Sequence, residues 1–211
     1  MFTFAQNYCI KQANQGNAEY LKELFNLYQL QMERNIINDG GKIAQFDYKN
    51  IVTVGLRVNA FEWVTNFIEA EKDHLSESVR DTAYNYNLAR LYFSQNRFRE
   101  ALRALLMVEY TDVYYELDSR SLLLKTYYEL EEYEAFLSLV SSFGLFLRRN
   151  KHVSEYQRTV YRNLIRFSRK LFRIKMGGKQ APGKVANEMR EVKQIADLTW
   201  LNQKVAELVP A

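Results

Sequence analysis

The sequence predicts an all-α protein built as a stack of antiparallel helix pairs. Apolar residues recur at spacings of three and four along most of the 211-residue chain, which is the helical period. Two prolines and eight glycines are few, and they fall between apolar stripes more often than inside them. The pattern also repeats. Residues 83–108 form two short stripes joined at Gln95-Asn96-Arg97: Leu88, Ala89, Leu91, Tyr92, then Phe98, Ala101, Leu102, Leu105, Val108. An offset of 35 brings Leu123 under Leu88, Leu124 under Ala89, Tyr127 under Tyr92, Tyr133 under Phe98, Phe136 under Ala101 and Val140 under Leu105. One helical pair cannot bury its own apolar faces, so a repeat of this length implies stacking.

Taken in order, residues 2–14 read as a weak helix broken by Gln15-Gly16-Asn17. Residues 18–34 read as a helix with Leu21, Leu24, Phe25, Tyr28, Leu30 and Met32 as its apolar contacts, and Asn38-Asp39-Gly40-Gly41 as a loop. Asp47 is the expected N-cap of the next helix, with Phe46 and Ile51 in hydrophobic-staple positions, ending near Asn59. Gly55 weakens that helix, and residues 60–71 supply its partner through Phe61, Val64, Phe67 and Ile68. Ser78, with Asp81 three residues on, is the expected start of the central pair. Thr111 or Asp112 caps a helix over 113–130, paired with one over 132–147. Ser154 and Gln157 form a capping box for a long helix to about Met176. Residues 177–183, GGKQAPG, are the expected hinge, followed by closing helices over 184–198 and 200–208. Ala186, Met189, Val192, Ile195 and Ala196 give the first its apolar side, and Trp200, Leu201, Val205 and Leu208 dock the second. The expected organisation is thus a helical array over 1–176, a hinge, and a C-terminal cap over 184–211.

The spacing of Leu88, Ala89, Tyr92, Ala101 and Leu105 resembles that of the tetratricopeptide repeat. Asn85 replaces the usual Trp and Val113 the usual closing Pro, so the resemblance is to a degenerate member, over most of residues 15–176. It implies a right-handed superhelical stack whose first helices line a concave groove for a peptide or partner protein. Carried over by offset, that groove shows Tyr86, Arg90 and Phe93 in one pair and Ser121, Lys125 and Tyr128 in the next. Two cations above rows of aromatics suit an acidic peptide.

Charge marks a second candidate. Residues 148–175 hold ten Lys or Arg against one acid, Glu155, so the rest of the chain is net acidic although the whole is +4. Arg158, Arg162, Arg166, Arg169 and Arg173 step by four, four, three and four, with Val160, Leu164, Phe167 and Leu171 on the far side. Arginine suits planar, bidentate contact with carboxylate or phosphate. The stripe is either a docking face for an acidic protein or nucleic acid, or a solvated face neutralised by Glu129, Glu131, Glu132 and Glu134.

No enzyme is expected. His74 and His152 fall in loops after helices, no Gly-rich phosphate loop follows a strand, and no catalytic carboxylate pair stands out. No cofactor or metal is expected, and the single Cys9 excludes an intramolecular disulfide and a multi-cysteine metal site. No signal peptide and no stretch of about 18 apolar residues is visible, so the expectation is a cytoplasmic protein off the membrane. The aromatic excess, fifteen Tyr and thirteen Phe, is expected to fill gaps between helices. The favoured function is a non-catalytic protein-binding scaffold, with nucleic-acid or polyanion binding as the alternative and homodimerisation open. Met1 stands almost directly against a helix, which also suits a segment of a longer chain.

Overall fold

The computed structural model describes residues 2–34, 36–37, 41–110 and 112–209. Asn38, Asp39 and Gly40 of the expected loop and Thr111 lie outside these. Among the described residues there are eleven α-helices and no strand: α1 Phe2–Asn14, α2 Glu19–Glu33, α3 Gln45–Arg57, α4 Phe61–Glu71, α5 Glu77–Ser94, α6 Phe98–Leu105, α7 Val113–Glu129, α8 Tyr133–Arg149, α9 Glu155–Lys175, α10 Pro182–Arg190 and α11 Leu198–Leu208. A short 3₁₀ turn, Lys72–His74, extends α4. The chain divides into two compact units, Met1–Thr111 and Asp112–Ala211, a division inside the span that the sequence treats as one array.

In the first unit, α1 packs on α2, α2 on α3, α3 on α4 and α5, and α5 on α4 and α6. The core holds Tyr48, Ile51, Val52, Val64, Ile68, Ala83, Ala89 and Ala101, all without exposed surface. Rings fill the gaps as expected: Trp63 stacks on Phe67 at 5.3 Å and meets Phe25 edge-on, while the Tyr48 hydroxyl donates to the Ile68 carbonyl at 2.8 Å. Gly55 has a packing reason that its helix propensity hides. A Cβ there would stand 2.4 Å from Val64 Cγ2, so the glycine lets α3 and α4 approach.

The second unit is centred on α9, which packs on α7, α8, α10 and α11. Phe172 is its aromatic hub, with Tyr128, Tyr133 and Phe136 between 4.6 and 5.4 Å away. Asp112 caps α7, its Oδ1 accepting the N–H groups of Tyr114 and Tyr115.

A recurring turn closes the pairs. Asn59, Asn96 and Glu131 are all left-handed, near φ 60°, and Gly16 takes the same place after α1. After each, the next N–H reaches back five residues: Asn17 to Gln12, Ala60 to Gly55, Arg97 to Tyr92 and Glu132 to Tyr127. The left-handed residue itself donates three residues back, to Ala13, Leu56, Phe93 and Tyr128. This is the Schellman closure, which satisfies the last carbonyls of one helix and reverses the chain into the next. An aromatic follows two residues after three of these turns, at Phe61, Phe98 and Tyr133.

Three boundaries differ from expectation. Asp47 lies inside the first turn of α3; the chain enters at extended Ala44, and Phe46 stays 47% exposed. The anchor is earlier, where buried Ile43 donates its N–H to the His74 carbonyl. Similarly, α5 begins at Glu77 after Ser76, which places Ser78 within its first turn. Finally, α10 stops at Arg190, so Val192, Ile195 and Ala196 are not helical. The linker is pinned to α9 instead: Ala196 N–H donates to the Val160 carbonyl, and Asn163 Nδ2 to that of Gln194.

Candidate basic docking site

The long helix α9 is fixed at its start and along one side. Ser154 accepts the Gln157 N–H, and the Gln157 side chain accepts the Ser154 N–H, completing the predicted capping box. Val160, Leu164, Phe167, Ser168, Leu171 and Phe172 are buried, so the expected apolar side faces the unit's core. With that side held, Arg162, Arg166, Arg169 and Arg173 must point outward, and all four are exposed.

Arg158 leaves the stripe. Its guanidinium is only 13% exposed and donates to the carbonyls of Leu147 and Asn150, capping the end of α8, while Glu155 pairs with it at 3.1 Å. It is a structural cation.

The other four line an open depression of about 410 Å³ between α8 and α9. Lys170 joins them on the rim, and Val140 and Ile165 lie on its apolar floor. Among the described residues one carboxylate reaches these cations: Glu188 of α10 accepts from Arg166 at 3.0 Å and from Lys170. Lys170 first, and Arg166 after it, hold the Glu188 carboxyl below its ordinary value of 4.5. Arg162, Arg169 and Arg173 have no ion pair among the described residues.

The acidic run does not neutralise the stripe. Glu129 accepts from Trp200 Nε1 and pairs with Lys204, and Glu131 pairs with Lys175 at 3.1 Å. Sequence reading missed Lys170, Ile165, Val140 and Glu188. The first two were findable, because Lys170 is four residues after Arg166 and Ile165 sits at the edge of the apolar side. Glu188 arrives only because the chain returns through α10.

The expected groove residues are engaged within the units. Tyr86 is buried, with Lys49 and Arg90 over its ring at 5.7 and 5.8 Å. Arg90 donates to Thr53 Oγ1 at 2.6 Å, and Phe93 meets Phe98 edge-on. In the second unit, Ser121 donates to Asp197 Oδ2 at 2.6 Å and Lys125 pairs with Asp197 Oδ1 at 2.9 Å. Tyr128, 1% exposed, is covered by Trp200 and Phe172. Asp197 and the closing helix α11 therefore cover the second unit's share of the expected groove residues. A carboxylate does sit on the predicted Ser121–Lys125 pair, but it is the chain's own.

A smaller depression, about 320 Å³, lies between α1, α2 and α3. Ala13, Leu24, Tyr28 and Val54 line it, with Asn14, Asn50 and Arg57 exposed at its rim.

His74 Nδ1 lies 2.7 Å from Glu71, and His152 is exposed with its backbone N–H donated to Asn150 Oδ1. Among the described residues no cluster of three His, Cys, Asp or Glu is placed to hold a metal ion, and no helix is long and apolar enough to cross a membrane. Comparison of the chain with protein-family models, with curated proteins and with solved structures gave no match.

Proposed function

We propose that this protein is a non-catalytic scaffold that docks an acidic partner protein on the basic face of α9. The observation that carries the reading is the α8/α9 depression, where five cations meet one internal carboxylate. Three of those cations are exposed arginines without an ion pair among the described residues, so their charge is available to a partner. Clustered arginines raise the local concentration of an acidic ligand and hold its carboxylates in bidentate geometry. The matched Schellman turns support reading the helical pairs as a degenerate tetratricopeptide-like array that presents this face. A superhelical stack and a cytoplasmic setting belong to the same proposal.

The test is affinity capture from nuclease-treated lysate of the source cells, with the wild type beside an R162E/R169E/R173E variant. A discrete protein retained by the wild type and lost by the variant is the expected result. Retention by both overturns the assignment to α9.

A second reading keeps the concave-groove expectation but moves it. The depression draws on α1 and α3, first helices of adjacent pairs, and on α2 between them, with exposed Arg57 at its rim and without an ion pair among the described residues. Under that reading an R57E variant loses the captured protein and the α9 variant keeps it.

A further inference from the structure

We infer that the α8/α9 groove receives an acidic amphipathic helix, laid along α9 with its apolar side on Val140 and Ile165. The inference rests on the proposed basic docking face and names its occupant. Three observations converge on it.

The rim is periodic. Arg162, Arg166, Arg169 and Arg173 step by four, three and four over about 16 Å, at 1.5 Å per residue. A helix lying alongside presents carboxylates at the same steps, as flanking charges do in paired helices. Free carboxylates on an extended chain repeat every second residue and do not keep this register.

The floor is apolar. Val140 of α8 and Ile165 of α9 lie between the cations, so the groove offers a narrow hydrophobic seam with basic edges. An amphipathic helix fills such a seam with residues three and four apart. A nucleic acid has no apolar ridge to place there. Single strands gain affinity by stacking bases on aromatic rings, and among the described residues no aromatic lines this groove.

Two of the groove's cations already hold one helical carboxylate. Glu188 projects from α10 onto Arg166 and Lys170. That contact shows the geometry in miniature: a glutamate on a neighbouring helix, shared between two cations four residues apart. Arg162 and Arg173 continue the same row toward its two ends and Arg169 lies within it, all three without a carboxylate among the described residues.

The test uses the full chain and three labelled probes. One is an amphipathic peptide of about 15 residues, leucines at the a and d positions and glutamates at e and g. The second has the same composition in scrambled order, and the third is a short DNA duplex. Binding is read by anisotropy at low salt for wild type, R162E/R169E/R173E and V140S. The expected result is preference for the ordered peptide by at least about tenfold, or 1.4 kcal/mol. The arginine variant then loses it, and V140S weakens it severalfold. Equal or tighter binding of the scrambled peptide or the duplex, abolished by the arginine variant, overturns the helical occupant while leaving the basic docking face standing. Absence of binding by every probe, or wild-type binding in the arginine variant, overturns both.

Discussion

Lys204 is the residue where burial and charge are most sharply opposed. Its side chain is 5% exposed and its ammonium lies between Glu129, 9% exposed, and Glu207. Removing one partner of a buried pair leaves the other charged and desolvated. Lys204→Met is therefore expected to cost about 3 kcal/mol of unfolding free energy in urea. A second change, Glu129→Gln, should recover a large part of that loss. Gly55→Ala is a second residue-level case with two opposed terms. Helix propensity favours alanine by about 1 kcal/mol, while a Cβ 2.4 Å from the branched Val64 side chain forces overpacking that costs about 1–3 kcal/mol. The clash should win, giving a net loss measurable in the same denaturation series.

At the scale of elements, the turns make a graded prediction. Asn96 and Glu131 occupy the same left-handed position, but asparagine tolerates it and glutamate does not. Glu131→Gly should raise stability by about 1 kcal/mol, and Asn96→Gly should change little. Paired thermal melts would distinguish them; equal shifts would contradict the account. These turns also mark what the sequence makes legible. Helix existence follows from local apolar period and short connections, so α5, α6, α7 and α9 are readable, as are the Asp112 cap and the Ser154–Gln157 box. Glu131 carries no turn signature, and Asp47 imitates a cap whose real entry point depends on Ile43 reaching His74. The end of α10 depends on contacts with Val160 and Asn163, residues distant in sequence. The basic stripe was legible apart from Arg158, whose carbonyl partners on α8 no spacing rule reveals. Nothing local in the sequence tells that Asp197 and Trp200 return over Ser121, Lys125 and Tyr128.

For the whole molecule, several buried and half-buried groups have their pKa raised. Burial pushes the Tyr28 phenol from 10.0 up to about 12; burial and then its bond to Glu69 push Tyr84 to about 12 as well. Despite the cost of burial, the hydrogen bonds Lys204 donates to Glu129 and Glu207 hold it above its ordinary 10.5. Each folded pKa lies above the unfolded one, so the stabilisation is complete below about pH 10 and is lost as pH rises through the folded values. Chemical denaturation across pH 8 to 12 should show stability falling steadily above pH 10; a flat profile would contradict these environments.

Charge is distributed just as unevenly as burial, with a strongly basic segment in an otherwise acidic chain. The central claim is that this segment docks an acidic partner through the exposed arginines of α9 and not through Arg158. The most direct measurement is an NMR titration that follows arginine Nε–Hε signals as an acidic amphipathic peptide is added. The account predicts that Arg162, Arg169 and Arg173 shift together and saturate, while Arg158, held on the α8 carbonyls, stays in place. Shifts confined to Arg57 or Arg90, or none at saturating peptide, would contradict it.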